Sequence, residues 1–123
     1  MEQKTITLPE LNEGEFYAGL ILKEDGSPDY HLIGLPGELD SASHADSMAW
    51  AISVGGDLPT RRELNLLRAN ARQHFKNNWY WSNEQYAAYS YDAWCQLFTN
   101  GVQGYSFKHD KLRARAVRRL TIQ

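Results

Sequence analysis

The sequence predicts an α+β domain in which two helices pack on a twisted, mainly antiparallel sheet. Three observations carry that prediction. Two segments, residues 43–54 and 60–75, space apolar side chains three and four residues apart, as one face of a helix requires. Several shorter runs are rich in apolar and aromatic residues and are punctuated by Gly, Pro, Asp and Asn. Eleven of the fifteen aromatic residues fall between Phe75 and Phe107, so the core and any adhesive surface must both draw on that stretch. A chain of 123 residues suits one domain with one hydrophobic core. Its expected parts are a hairpin region at 1–42, two helices at 43–76, and aromatic hairpins with a closing strand at 77–123.

The elements follow in order. Residues 16–22 (FYAGLIL) and 30–35 (YHLIGL) flank the sequence EDGSPD, whose Asp, Gly, Ser and Pro supply the backbone angles of a reversal, so a β-hairpin is expected. Pro36 and Gly37 end its second strand. In the first helix Ala45, Met48, Ala49 and Ile52 form the apolar face, and Gly55 or Gly56 takes the left-handed conformation that closes it. Thr60 stands three residues before Glu63, the spacing of a capping box, in which each side chain satisfies a backbone amide of the first turn. The second helix therefore starts at Thr60. It turns Leu64, Leu67 and Ala71 inward, with Leu66 at the margin, and frays near Phe75.

Residues 79–82 read as a strand. Residues 91–98 alternate, with Tyr91, Ala93, Cys95 and Leu97 on one side and Asp92, Trp94, Gln96 and Phe98 on the other. Asn100-Gly101 is a two-residue hairpin signal, with residues 102–107 returning. Residues 108–111 turn, and 112–120 alternate Leu112, Ala114 and Ala116 with Arg113 and Arg115 as a last strand.

The composition, 42% hydrophobic and 23% charged, is that of a folded globular protein. No apolar run approaches the roughly 18 residues of a membrane span, and residues 1–12 lack the basic start and apolar stretch of a signal peptide. The single Cys95 excludes a disulfide scaffold and agrees with a reducing compartment, so a cytoplasmic protein is expected. The net charge of -2 conceals an asymmetry: residues 1–57 carry 11 acids and two bases, and the remainder four acids and 11 bases. Either the two halves lie together and neutralise one another, or a basic face meets a polyanion or an acidic protein. The near-neutral total favours the first.

Certain motifs resemble those of a known family. GGDLPTRREL opening a helix, then WYWSNE, an aromatic hairpin with Asn-Gly, and a closing RAVRR are similar to the Lcl C-terminal-domain family of bacterial and phage domains. That family is related to formylglycine-generating enzymes and C-type lectins. The matching positions are Leu58, Pro59, Thr60, Glu63 and Leu64, then Tyr80, Trp81, Ser82 and Asn83, then Arg115, Val117 and Arg118. They cover a little over half the chain, and YHLIGLPG in the first hairpin resembles the short phage-encoded members. The resemblance implies a C-type-lectin-like fold and a phage protein acting in the host cytoplasm. By size and type it further implies a modulator of a host process or defence system. Each motif has a structural reason, namely helix entry, sheet-face aromatics, and arginines bonding loop carbonyls. They specify a fold rather than a reaction.

Catalytic signals are weak. The cysteine pair of the related enzymes has no counterpart, and Cys95 lies within a strand, where a buried structural thiol is expected. His31, His44, His74 and His109 show no metal-ligand spacing. The Glu-Pro-Asn and Trp-Asn-Asp elements of calcium-dependent lectins do not occur, and residues 25–29 read as a solvated turn. No cofactor or metal is expected. The remaining candidate is a protein-binding surface on the loop 83–90 and the hairpin 101–111, comprising Asn83, Gln85, Tyr86, Tyr89, Tyr105, Lys108 and His109. Tyrosine offers large contact area and a hydroxyl at little entropic cost. The alternative is nucleic-acid binding by the basic half through Arg61, Arg62, Arg113, Arg115, Arg118 and Arg119. A sugar-binding or enzymatic domain is the third class. The sequence thus predicts a non-catalytic binding module.

Overall fold

A computed structural model describes residues 5–122. Residues 1–4, part of the stretch inspected for a signal peptide, and residue 123 lie outside the described residues. Among the described residues the fold is α+β, with two α-helices and two sheets, one of three strands and one of five.

β1 (Phe16–Leu22) and β2 (Pro28–Gly34) form the expected antiparallel hairpin. In its turn Asp25 Oδ1 accepts from the Ser27 amide at 2.9 Å and from the Ser27 hydroxyl at 2.6 Å, the local satisfaction that makes Asp a turn former. β8 (Val117–Thr121) pairs antiparallel with β2 and completes the smaller sheet, in the order β1-β2-β8. The larger sheet runs β3-β7-β4-β5-β6. It comprises β3 (Leu39–Ala42), β4 (Trp79–Gln85), β5 (Asp92–Leu97), β6 (Gln103–Phe107) and β7 (Leu112–Ala114). Its pairings are antiparallel except for β4 with β7, which is parallel through Tyr80 and Arg113.

α1 (His44–Ser53) and α2 (Arg61–Ala71) connect β3 to β4. Thr60 caps α2 as its spacing predicts: the Glu63 amide donates to Thr60 Oγ1 at 3.1 Å, and the Thr60 amide donates to Glu63 Oε1 at 2.8 Å. Leu64, Leu67 and Ala71 are buried and Leu66 is partly buried against them. A short 3-10 turn (Arg72–His74) ends the helix just before Phe75. Gly55 closes α1 with φ of 89°.

Four expectations need correction. The face of α1 is misread: Ala45 and Ala49 are exposed and Ile52 is 69% exposed, while His44, Ser47 and Ala51 are buried. His44 is accommodated because its Nε2 donates to the Ser82 carbonyl at 2.8 Å and its ring meets Trp81 edge-on. Apolar periodicity cannot find a buried face built from a bonded histidine and a serine. The Asn100-Gly101 pair is not a two-residue turn. Leu97 and Val102 bracket a four-residue loop in which Leu97 N donates to Val102 O at 2.8 Å and Gly101 N donates to Leu97 O at 2.7 Å. Only Gly101 has positive φ, at 83°, whereas the type I′ turn needs it at both central residues.

The last strand is two strands. β7 belongs to the larger sheet and β8 to the smaller, so Arg115 and Ala116 carry the chain from one to the other. Finally, Asn83 and Gln85 belong to β4 rather than to a loop.

Two cores result. Leu32, Leu64, Leu67, Phe75, Tyr80, Phe98 and Val117 fill the space between the smaller sheet and α2 and reach the larger sheet. Leu35, Leu58, Trp81, Ala93, Cys95 and Ala114 fill the other side of the larger sheet against α1. β5 is thus buried at Asp92, Ala93, Cys95 and Gln96, which leaves the edge strand β6 to meet solvent.

Candidate binding surface

Strand alternation places Asp92, Trp94 and Gln96 on one face of β5, and their cross-strand partners on β6 are Phe107, Tyr105 and Gln103. The base of this face is fixed by polar contacts to α2. Gln96 Nε2 donates to Leu64 O at 3.3 Å; Gln103 Nε2 donates to Gln96 Oε1 at 2.7 Å and to Arg61 O at 2.8 Å. Arg61 Nε donates to Gln103 Oε1 at 3.0 Å, and its guanidinium carbon lies 3.4 Å from the centroid of the Trp94 ring. A cation over an indole face is an attractive arrangement. It also anchors Trp94 in one position.

The loop between β4 and β5 folds over this face. The Tyr86 amide donates to Asp92 O at 3.0 Å, the Asp92 amide to Tyr89 O at 3.1 Å, and the Lys108 amide to Tyr91 O at 2.9 Å. Six rings follow one another from there. Tyr86 stacks on Tyr105 with centroids 4.0 Å apart and tilts against Trp94 at 4.9 Å. Tyr89 stacks on Tyr86 at 5.9 Å and on Tyr91 at 5.6 Å, and Tyr91 meets Phe107 at 5.5 Å. Tyr89, Tyr91, Tyr105 and Phe107 are 46 to 56% exposed, so the row is a surface rather than a core.

The structure brings together Tyr86, Tyr89 and Tyr105 from the expected set. Gln85 and Lys108 flank them, joined by a hydrogen bond from Lys108 Nζ to Gln85 Oε1 at 3.0 Å. His109 is exposed on the adjoining turn. Asn83 is apart from them: its Nδ2 donates to Asp57 Oδ2 at 3.1 Å and its amide to Pro59 O at 2.9 Å. Sequence reasoning missed Tyr91, Trp94 and Phe107 as members of this row and the buried Asp92 beneath it, and placed Arg61 elsewhere. The period-2 pattern already put Trp94 beside Asp92 and spaced Phe107 two residues from Tyr105. What it lacked was the knowledge that β6 is an edge strand.

The six arginines of the alternative are dispersed. Arg113 bonds Asp40 Oδ1 at 2.9 Å and approaches Glu38 at 3.5 Å. Arg118 holds Glu15 at 2.9 Å, while Arg119, on the opposite face of β8, holds Asp57 at 2.9 Å and Glu63 at 2.7 Å. Arg115 Nη1 donates to the Leu35 carbonyl at 3.1 Å. Arg62 is exposed. Most of these ion pairs join an acid of the first half to a base of the second, the mutual neutralisation that the net charge favours.

Cys95 is buried, and burial pushes its thiol up to about 12, with Asp110 adding to the effect. That is the inert, structural condition of a cysteine. Among the described residues no group of three or more His, Cys, Asp or Glu side chains is placed to hold a metal ion. No helix among them is long and apolar enough to cross a membrane. Neither protein-family models nor curated proteins give a match to this chain.

Proposed function

We propose that this chain is a non-catalytic binding module that recognises a protein partner through the aromatic row on β5, β6 and the loop before them. The observation that carries the reading is the row itself: six neighbouring rings, four of them about half exposed. Rigid amphipathic rings give much contact area for little lost freedom, which is why binding surfaces concentrate them. The motifs shared with the Lcl C-terminal-domain family support a C-type-lectin-like fold and a phage origin. On that reading the protein acts in the host cytoplasm by occluding a component of a host process or defence system.

The test is affinity capture from source-cell lysate with wild type and Tyr86→Ala/Tyr89→Ala, followed by hydrogen exchange on the purified complex. Protection centred on Tyr86, Tyr89 and Tyr105, lost with the double variant, is the expected result. Equal recovery of every partner by both proteins removes this surface. The second reading, single-stranded nucleic acid, draws on the same rings, since bases stack on aromatic side chains, and on Arg61 beside Trp94. Retention that falls steeply with salt would favour it.

A further inference from the structure

Asp92 lies within the aromatic surface and is only 5% exposed. Its backbone is tied to Tyr86 and Tyr89. Its carboxylate, however, accepts no hydrogen bond and enters no ion pair among the described residues. The carboxylate oxygens are not sealed from solvent, so their acceptor capacity is open to an incoming donor. It lines an open depression of about 240 Å³ together with Tyr105, Ser106, Phe107 and Asp110. Asp110 is held there by the Ser106 hydroxyl, which donates to its Oδ2 at 2.6 Å.

The chemistry of that depression selects its occupant. Two carboxylates and the electron-rich faces of Tyr105 and Phe107 favour a cation and repel a phosphate. Two neighbouring cations of the chain are committed elsewhere, Lys108 Nζ to Gln85 and Arg61 to Trp94 and Gln103, while His109 and Lys111, beside Asp110, are exposed. At about 240 Å³ the space is below the roughly 300 to 1,000 Å³ of small-molecule sites and suits one inserted side chain. Of the two long basic side chains, arginine has the planar head that stacks on a ring while its donors reach a carboxylate.

We infer that the protein partner inserts an arginine between Tyr105 and Phe107 and seats its guanidinium on Asp92. This rests on the binding reading above and names the chemistry of the partner at that surface. It makes Asp92 an anchor of specificity, and Asp110 a second acceptor at the rim.

The experiment is an NMR titration of the whole chain with acetyl-Gly-Gly-Arg-Gly-Gly-amide, with the same peptide carrying norleucine for arginine, and with oligothymidylate. The expected result is saturable shifts along β6 and the turn at 108–111 for the arginine peptide alone. Asp92→Asn should weaken that binding by about tenfold, the loss of one charge-assisted contact. It should do so without lowering the melting temperature, since no intramolecular bond is removed. Equal shifts with the norleucine peptide overturn the inference, as does equal affinity in Asp92→Asn. The peptide comparison uses wild type only and so stands even if the variant fails to fold. Oligothymidylate binding that strengthens in Asp92→Asn overturns it in favour of nucleic acid. A captured partner lost by Tyr86→Ala/Tyr89→Ala but retained undiminished by Asp92→Asn would leave the binding surface standing and remove the arginine.

Discussion

The guanidinium of Arg119 grips the carboxylate of Glu63 with two hydrogen bonds, Nε to Oε2 at 2.7 Å and Nη2 to Oε1 at 2.8 Å, where the Glu63 side chain has no exposed surface. Tyr30 donates to the same carboxylate, and Glu63 also closes the α2 capping box. One side chain thus joins β2, β8 and the start of α2. Removing one partner of such a pair leaves the other buried and uncompensated, a loss of about 3 kcal/mol or more. Arg119→Ala should therefore destabilise the fold by about that amount in urea unfolding. A far smaller effect would mean that water reaches the abandoned Glu63.

Acid should unfold the protein through its paired carboxylates. For Glu63, burial pushes the carboxyl up, but the hydrogen bonds from Arg119, Tyr30 and the Thr60 amide outweigh it and hold it below its ordinary value of 4.5. For Glu15, the Arg118 hydrogen bond leads and the result is again below 4.5. Both groups bind fewer protons folded than unfolded. Their contribution is full above 4.5 and is lost as pH falls through the lowered folded values. Urea midpoints measured downward from about pH 6 should drop steeply below about pH 4.5, and Glu63→Gln should flatten that dependence.

Gly34 should not tolerate a side chain. It pairs with Phe16 across β1 and β2, and a Cβ built there would lie 2.1 to 2.5 Å from three atoms of the Phe16 ring. That ring is itself stacked on His74 with centroids 3.8 Å apart, so it has little room to retreat. Gly34→Ala should cost about 1 to 3 kcal/mol by overpacking, read as a lowered melting temperature. Gly26, at the tip of the first hairpin with nothing near the added carbon, gives the contrast. There the penalty comes only from its φ of 85°.

Cys95 should be silent until the fold opens. Its Sγ lies 3.7 Å from the Gly104 carbonyl oxygen, and burial pushes the thiol up to about 12. A thiol-specific reagent at neutral pH should react only at the rate of unfolding, and at once in denaturant. Rapid reaction of the native protein would place the thiol at the surface.

What was legible in the sequence was local. Thr60 and Glu63 announce the start of α2 because the capping box is complete within four residues. The turn at Asp25 to Ser27 is equally self-contained. The buried face of α1 was not legible, because His44 is satisfied by Ser82, a partner far along the chain. β3 went unpredicted: a four-residue strand that pairs with β7 alone among the described residues has too little pattern of its own. The candidate surface was half legible. The tyrosines stood out by composition, whereas Asp92 and Trp94 became part of it only through the register of β5 with β6.

The division of one alternating run into β7 and β8, so that consecutive strands enter different sheets, bears on how the chain reaches this state. β2 is flanked by β1, its neighbour in sequence, and by β8, which lies beyond every other element. The first hairpin therefore gains its second border only after a very long loop has closed, and β7, two residues before β8, lies between β3 and β4. Refolding should be governed by this one late closure. Slowing it, by substitutions at Arg115 or Ala116, should change the folding rate of both sheets together.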